Sequence, residues 1–145
     1  MTPLYLSLGT NLGDKPANLS RAVSLLEERL GVPCAALSSF LETAPWGYES
    51  PHCFLNACAR FELDMPATEE NALWLLEVCK GIESEMGRIQ RAPGEGYRDR
   101  IIDIDILLFG DLRMQTRTLT IPHPLMHARD FVLIPLREVC TWGQF

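Results

Sequence analysis

Two carboxylates stand two residues apart in a stretch that is otherwise almost wholly apolar: Arg100-Ile101-Ile102-Asp103-Ile104-Asp105-Ile106-Leu107-Leu108-Phe109-Gly110. Ile, Leu and Phe fill seven of its eleven places, the composition of a strand buried in a sheet. Side chains alternate along a strand, so Asp103 and Asp105 leave the same face, with Cβ atoms about 7 Å apart. Carboxylates that close, flanked by Ile, should raise each other's pKa unless a cation lies between them. Hard oxygen ligands at this spacing suit Mg²⁺, as one ion or a pair. Strict alternation puts Ile101 on the Asp face and Arg100, Ile102 and Ile104 on the other, although a bend at the strand start would bring Arg100 round. The bland alternative is a strand end that exposes its Asp to water.

A second cluster precedes the carboxylates. Arg88, Arg91, Arg98 and Arg100 crowd into thirteen positions, four of the thirteen Lys and Arg in the chain. The net charge is −6, which argues against general binding to nucleic acid or an anionic membrane. An acidic chain that gathers Arg in one loop is suited to a small anion there, the alternative being a solvated loop. The segment 88–99 holds Pro93, Gly94 and Gly96 and leads straight into the Asp strand, the layout of a lid beside a site.

The rest of the chain must position these groups. At 145 residues it is expected to form one domain, residues 1–145, large enough for a proper core. Leu4–Leu8 alternates as a first strand. The turn Gly9-Thr10-Asn11-Leu12-Gly13-Asp14 follows and lacks the P-loop pattern, so it reads as structural grammar before a helix over Asn18–Leu30 that Gly31 ends. Ala35–Thr43 reads as a second strand and Phe54–Leu63 as a third. Asn56 shares a face with Phe54 and Cys58; it is either a satisfied core amide or a reader of a heterocycle. Thr68 caps a helix running to about Met86, which Gly87 stops. After the Asp strand come two short strands, Leu112–Thr116 and Leu119–Ile121, and Val132–Val139 reads as a short helix with Pro135 in its early turns, the alternative being a strand. The order β-α-β-β-α-β predicts an α+β fold with a ferredoxin-like core: a mainly antiparallel sheet with helices packed on it. That fold hosts enzymes and RNA-binding modules alike.

Five Cys, an odd number without C-x-x-C spacing, fit reduced thiols in a cytoplasm better than a disulfide framework or zinc site. No signal peptide and no apolar run near the ~20 residues of a membrane span is visible.

Five fragments in order resemble the 6-hydroxymethyl-7,8-dihydropterin pyrophosphokinase family: Leu8–Asp14, Ser38–Pro45, Phe54-Leu55-Asn56-Ala57, Arg100–Leu107, and Ile121–Pro124 with Met126–Phe131. The resemblance implies transfer of a pyrophosphoryl group from ATP, as co-substrate, to the hydroxymethyl oxygen of the pterin, leaving AMP. It implies two Mg²⁺ ions on Asp103 and Asp105, with Arg88 and Arg100 clamping phosphates beside them. Arg91, Ile106, Thr120, His123 and Arg129 would also meet the nucleotide. Thr43, Ala44, Pro45, Trp46, Asn56, Phe54, Phe131 and Tyr97 would meet the pterin, and Glu83 would stand behind the metals. On residues alone, Phe54 and Phe131 read as core packing. The chain departs from the family where Gly96-Tyr97-Arg98-Asp99 replaces a common Arg-Trp-Gly-Pro, and where Pro124 replaces a Tyr found in some members. Small-molecule substrates, with neither nucleic acid nor membrane, are the expected partners; protein partners are not specified. A ferredoxin-like RNA-binding module would need a basic face with exposed aromatics, and a metal-dependent phosphohydrolase would use the same two Asp.

Overall fold

The computed structural model describes residues 1–44, 53–87 and 100–140. In chain order the elements are β1 (Thr2–Thr10), α1 (Lys15–Leu30), β2 (Ala36–Leu37), β3 (Leu41–Thr43), β4 (Phe54–Leu63), α2 (Glu69–Glu85), β5 (Asp103–Phe109), β6 (Met114–Gln115), β7 (Thr120–Ile121), a 3₁₀ turn (Met126–Ala128) and α3 (Asp130–Val139). Every described strand pair is antiparallel. The main sheet runs β2-β4-β1-β5, with β3 also on β4, while β6 and β7 form a separate hairpin. If β2 and β3 are taken as one interrupted edge strand, this is the ferredoxin-like βαββαβ order, an α+β fold.

Local chemistry explains the helix ends. The Asp14 carboxylate accepts from Ala17 N–H and Gly31 closes α1 in the left-handed region. Pro16 lies in the first turn, where its missing N–H costs nothing, so α1 starts earlier than Asn18. Thr68 Oγ1 accepts from Asn71 N–H at 3.1 Å to start α2.

Each face of the sheet is covered differently. Leu4, Leu6 and Leu8 of β1, Ala57, Ala59 and Phe61 of β4, and Ile104, Ile106 and Phe109 of β5 share a core with α1 and α2. Tyr5, Cys58 and Leu107 point the other way, against Val132, Leu133 and Leu136 of α3. Burying each large apolar side chain contributes about 1.5–3 kcal/mol. α3 is short and covers only part of its face. The uncovered part, towards Gly9 and Asp103, becomes the site.

Two irregularities depart from the sequence expectations. The single strand expected over Ala35–Thr43 is broken. Leu37 pairs with Ala59 but Leu41 with Asn56, so the edge holds one residue more than its partner, a β-bulge. The extra residue falls just after Ser38, whose N–H donates to Cys58 O and whose hydroxyl accepts from Cys58 N–H at 2.8 Å. The second bulge is in β5. Tyr5 pairs with Leu108 but Leu6 with Ile106, leaving Leu107 as the extra residue. Alternation resets there, which puts Leu108 beside Leu107 on the α3 side and Phe109 in the main core.

Candidate functional site

The floor of the open face is a grid set by strand register. Asn56 of β4, Gly9 of β1 and Asp103 of β5 stand side by side, as do Cys58, Ser7 and Asp105 in the next row. Side chains in β1 shrink along this face from Tyr5 to Ser7 to Gly9, and the shrinkage makes the hollow. Neighbouring strands lie about 4.8 Å apart, so Asn56 and Asp103 are separated by roughly 10 Å across the glycine. A pocket results, lined also by Thr43, Ala44, Phe54, Arg100, Arg129, Phe131 and Val132. A Cβ on Gly9 would touch Asn56 Oδ1 at 3.4 Å and the Phe54 ring at 3.5 Å, so glycine keeps the floor clear.

One half of the pocket is neutral and aromatic. Asn56 Nδ2 donates to Leu41 O at 3.0 Å and to Thr43 Oγ1 at 2.9 Å. A carbonyl can only accept, so these bonds fix the amide orientation and direct Oδ1 towards Gly9 and Phe54 as an acceptor. Phe54 comes from β4 and Phe131 from the first turn of α3, with the Arg129 guanidinium 5.6 Å from the Phe131 ring centre.

The other half is charged. Arg100 Nη1 lies 3.2 Å from Asp103 Oδ1. Burial, then Asp103, then Glu83, push the Asp105 carboxyl up to about 7, against partial relief from Arg129 and Arg100. Glu83 sits behind the strand: its carboxylate accepts from Ile104 N–H at 2.8 Å, between the two Asp. His123 donates its main-chain N–H to Leu107 O, the bulge residue, at 3.0 Å. Its Nδ1 accepts from Leu125 N–H at 3.2 Å, so the neutral ring carries its proton on Nε2. Burial and then Arg129 lower the His123 pKa, Asp103 opposing them, so this neutral form is favoured.

Among the described residues, no three His, Cys, Asp or Glu gather into a metal cage. Two carboxylates in an open pocket suit Mg²⁺, which keeps several waters and takes phosphate oxygens to complete its shell.

Residues 5–141 match the family described as 7,8-dihydro-6-hydroxymethylpterin-pyrophosphokinase. The chain belongs to this pyrophosphokinase family. It is 45% identical over 143 residues to the 2-amino-4-hydroxy-6-hydroxymethyldihydropteridine pyrophosphokinase of Porphyromonas gingivalis, covering 98% of this chain and 93% of that one. The enzyme of the same name from Bacillus subtilis is 40% identical, over 94% of this chain and 77% of its own. A folic acid synthesis protein of Schizosaccharomyces pombe is 38% identical over 91% of this chain, which spans 17% of that longer protein.

Of the residues the pyrophosphokinase likeness singled out, Thr43, Ala44, Phe54, Asn56, Arg100, Asp103, Asp105, Arg129 and Phe131 all line one pocket. Arg100 reaches it because the chain leaves the β ladder before Asp103. That bend reverses strict alternation at two places: Arg100 joins the Asp face, and Ile101, expected on that face, packs instead against the main core. Ile106 also points into the core, leaving only its main chain towards the other side. Thr120 stands in β7, beside β5, and does not line the pocket. Pro45, Trp46, Arg88, Arg91 and Tyr97, with the whole 88–99 segment expected as a lid, lie outside the described residues. Sequence reasoning missed Ser7, Gly9 and Val132 as lining residues. The signal for the first two was the falling side-chain size along β1; nothing local marked Val132.

Proposed function

We infer that this chain, as one domain over residues 1–145, transfers pyrophosphate from ATP to 6-hydroxymethyl-7,8-dihydropterin, giving AMP and the pterin diphosphate of folate biosynthesis. The observation that carries the site assignment is the row Asn56–Gly9–Asp103. It offers a neutral acceptor for a heterocycle's N–H groups at one end and a carboxylate at the other. The glycine gap between them lets a hydroxymethyl group cross from ring to phosphate. Phe54 and Phe131 hold the flat rings, and Asn56 Oδ1 with the main chain near Thr43 and Ala44 reads the polar edge. The hydroxyl oxygen attacks the β-phosphorus and gives up its proton to water, the bond from that phosphorus to the oxygen bridging to the α-phosphorus breaks, and AMP leaves with that oxygen.

Asp103 and Asp105 present the oxygens for two Mg²⁺ ions, which when bound neutralise the triphosphate and acidify the attacking hydroxyl. Arg100 and Arg129 supply fixed positive charge beside those oxygens, and His123 donates from Nε2 to a phosphate. Arg88 and Arg91 add further phosphate contacts, and Tyr97, Pro45 and Trp46 further pterin contacts, as the family likeness implies. Positioning and charge neutralisation carry such a reaction, with no covalent intermediate on the chain. The free thiols of Cys34, Cys53, Cys58 and Cys79 support a cytoplasmic setting. Among the described residues no helix is long and apolar enough to cross a membrane.

Incubation with ATP, Mg²⁺ and the hydroxymethyldihydropterin tests the reading. AMP formed only with the pterin supports it. Phosphate released without the pterin would make the protein a phosphohydrolase instead.

A further inference from the structure

The turn after β1 does more than end a strand. Asn11 is buried, 2% exposed, and grips Arg100 twice. Asn11 N–H donates to Arg100 O at 3.1 Å, and Asn11 Oδ1 accepts from Arg100 N–H at 2.7 Å. Register makes this grip informative. The β1–β5 ladder ends at Gly9 opposite Asp103, and its continuation would put Asn11 opposite Ile101. Asn11 holds Arg100 instead, one residue further back, and a side-chain oxygen replaces the main-chain acceptor a ladder would supply. The turn is itself fixed from α1, where Asn18 Nδ2 donates to Leu12 O at 2.8 Å and to Thr10 Oγ1 at 3.1 Å.

We propose that Asn11 is a positioning residue for the polyphosphate clamp: it holds the Arg100 main chain out of the β ladder, so that the guanidinium swings onto the carboxylate face beside Asp103. This rests on the reading of Arg100 as a phosphate ligand. No alternative acceptor is needed to explain the bend. A main-chain ladder would return Arg100 to the core face, where the guanidinium would lose its water and its contact with Asp103.

The test compares Asn11→Ala, Arg100→Ala and the double variant, with binding of a non-hydrolysable ATP analogue plus Mg²⁺, pterin binding, and thermal unfolding measured for each. Asn11→Ala should weaken analogue binding by about tenfold, the scale of one buried charged-group hydrogen bond, with pterin affinity within about twofold. Adding Arg100→Ala to Asn11→Ala should then cost much less than Arg100→Ala alone, because both act through one group. Should Asn11→Ala fail to fold, Asn11→Ser, whose hydroxyl falls short of the Arg100 N–H, carries the same comparison and should be weakened likewise. Amide exchange at Arg100 gives an independent readout and should accelerate on loss of the oxygen while β1 amides stay protected. Additive losses, or equal loss of both ligands, would overturn the proposal. If Arg100→Ala alone leaves analogue binding intact while exchange at Arg100 still responds to Asn11, the phosphate-ligand reading of Arg100 fails and the structural grip stands.

Discussion

At the scale of single residues, the burial of Asp105 is costly. Its pKa rises from 3.8 to about 7 in the folded chain, mainly through desolvation. The folded state therefore binds the proton more tightly than the unfolded state, and stability falls as pH climbs from about 4 to about 7. Asp105→Asn carries no charge at any pH. It should lose most turnover yet flatten this slope, melting above the parent by a few degrees at pH 8 without metal, at about 2–4 °C per kcal/mol. Parallel melting curves across that pH range would remove the desolvation account. Asn56 makes a different kind of demand. Its Nδ2 is committed to Leu41 O and Thr43 Oγ1, so only Oδ1 is offered to a ligand. Asn56→Ala should weaken pterin binding by about 1–3 kcal/mol and ATP binding far less. Calorimetry showing equal losses would mark Asn56 as structural.

At the scale of elements, the two bulges place chemistry that regular strands would misplace. The Leu107 bulge gives His123 N–H its carbonyl, and so ties the chain after β7 to the strand that carries the carboxylates. The bulge after Ser38 keeps Leu41 and Thr43 in register with Asn56 and Phe54. The Ser38 hydroxyl satisfies the buried Cys58 N–H, and removing it leaves that donor without its acceptor. Ser38→Ala should therefore destabilise the fold by about 1–3 kcal/mol. Chemical denaturation checks this; a change below about 0.5 kcal/mol would mean that water or a relaxed backbone replaces the hydroxyl. Since β3 carries both acceptors of Asn56, the variant should also bind pterin less well at temperatures where the native state still dominates.

For the molecule as a whole, charge is arranged against its own average. The chain carries −6, yet the pocket brings Arg100 and Arg129 beside two carboxylates. With two carboxylates gathered among the described residues and cations next to them, Mg²⁺ alone should bind weakly. A polyphosphate adds oxygens and negative charge, so Mg²⁺ and nucleotide should bind cooperatively. Titration of Mg²⁺ into the protein should give little heat below about 1 mM, and clear binding once a non-hydrolysable ATP analogue is present. Tight binding of the ion to the protein alone would contradict this arrangement.

Local chemistry determined much of this protein from the sequence alone. Alternation placed Asp103 and Asp105 on one face, and Asn56 with Phe54 and Cys58 on one face, because side-chain period is a property of the strand itself. Thr68 and Gly31 marked helix ends because caps are satisfied within one turn of chain. Phe54–Leu63 was legible to its boundaries for the same reason. Tertiary structure decided what depends on a neighbour's hydrogen bonds. The break after Ser38 requires Cys58 across the ladder, twenty residues away. The side on which Arg100 emerges requires Asn11, eighty-nine residues away. Periodicity read along one chain assumes an unbroken ladder. An acceptor brought in from a distant segment can break that ladder and turn a side chain from the core to the site.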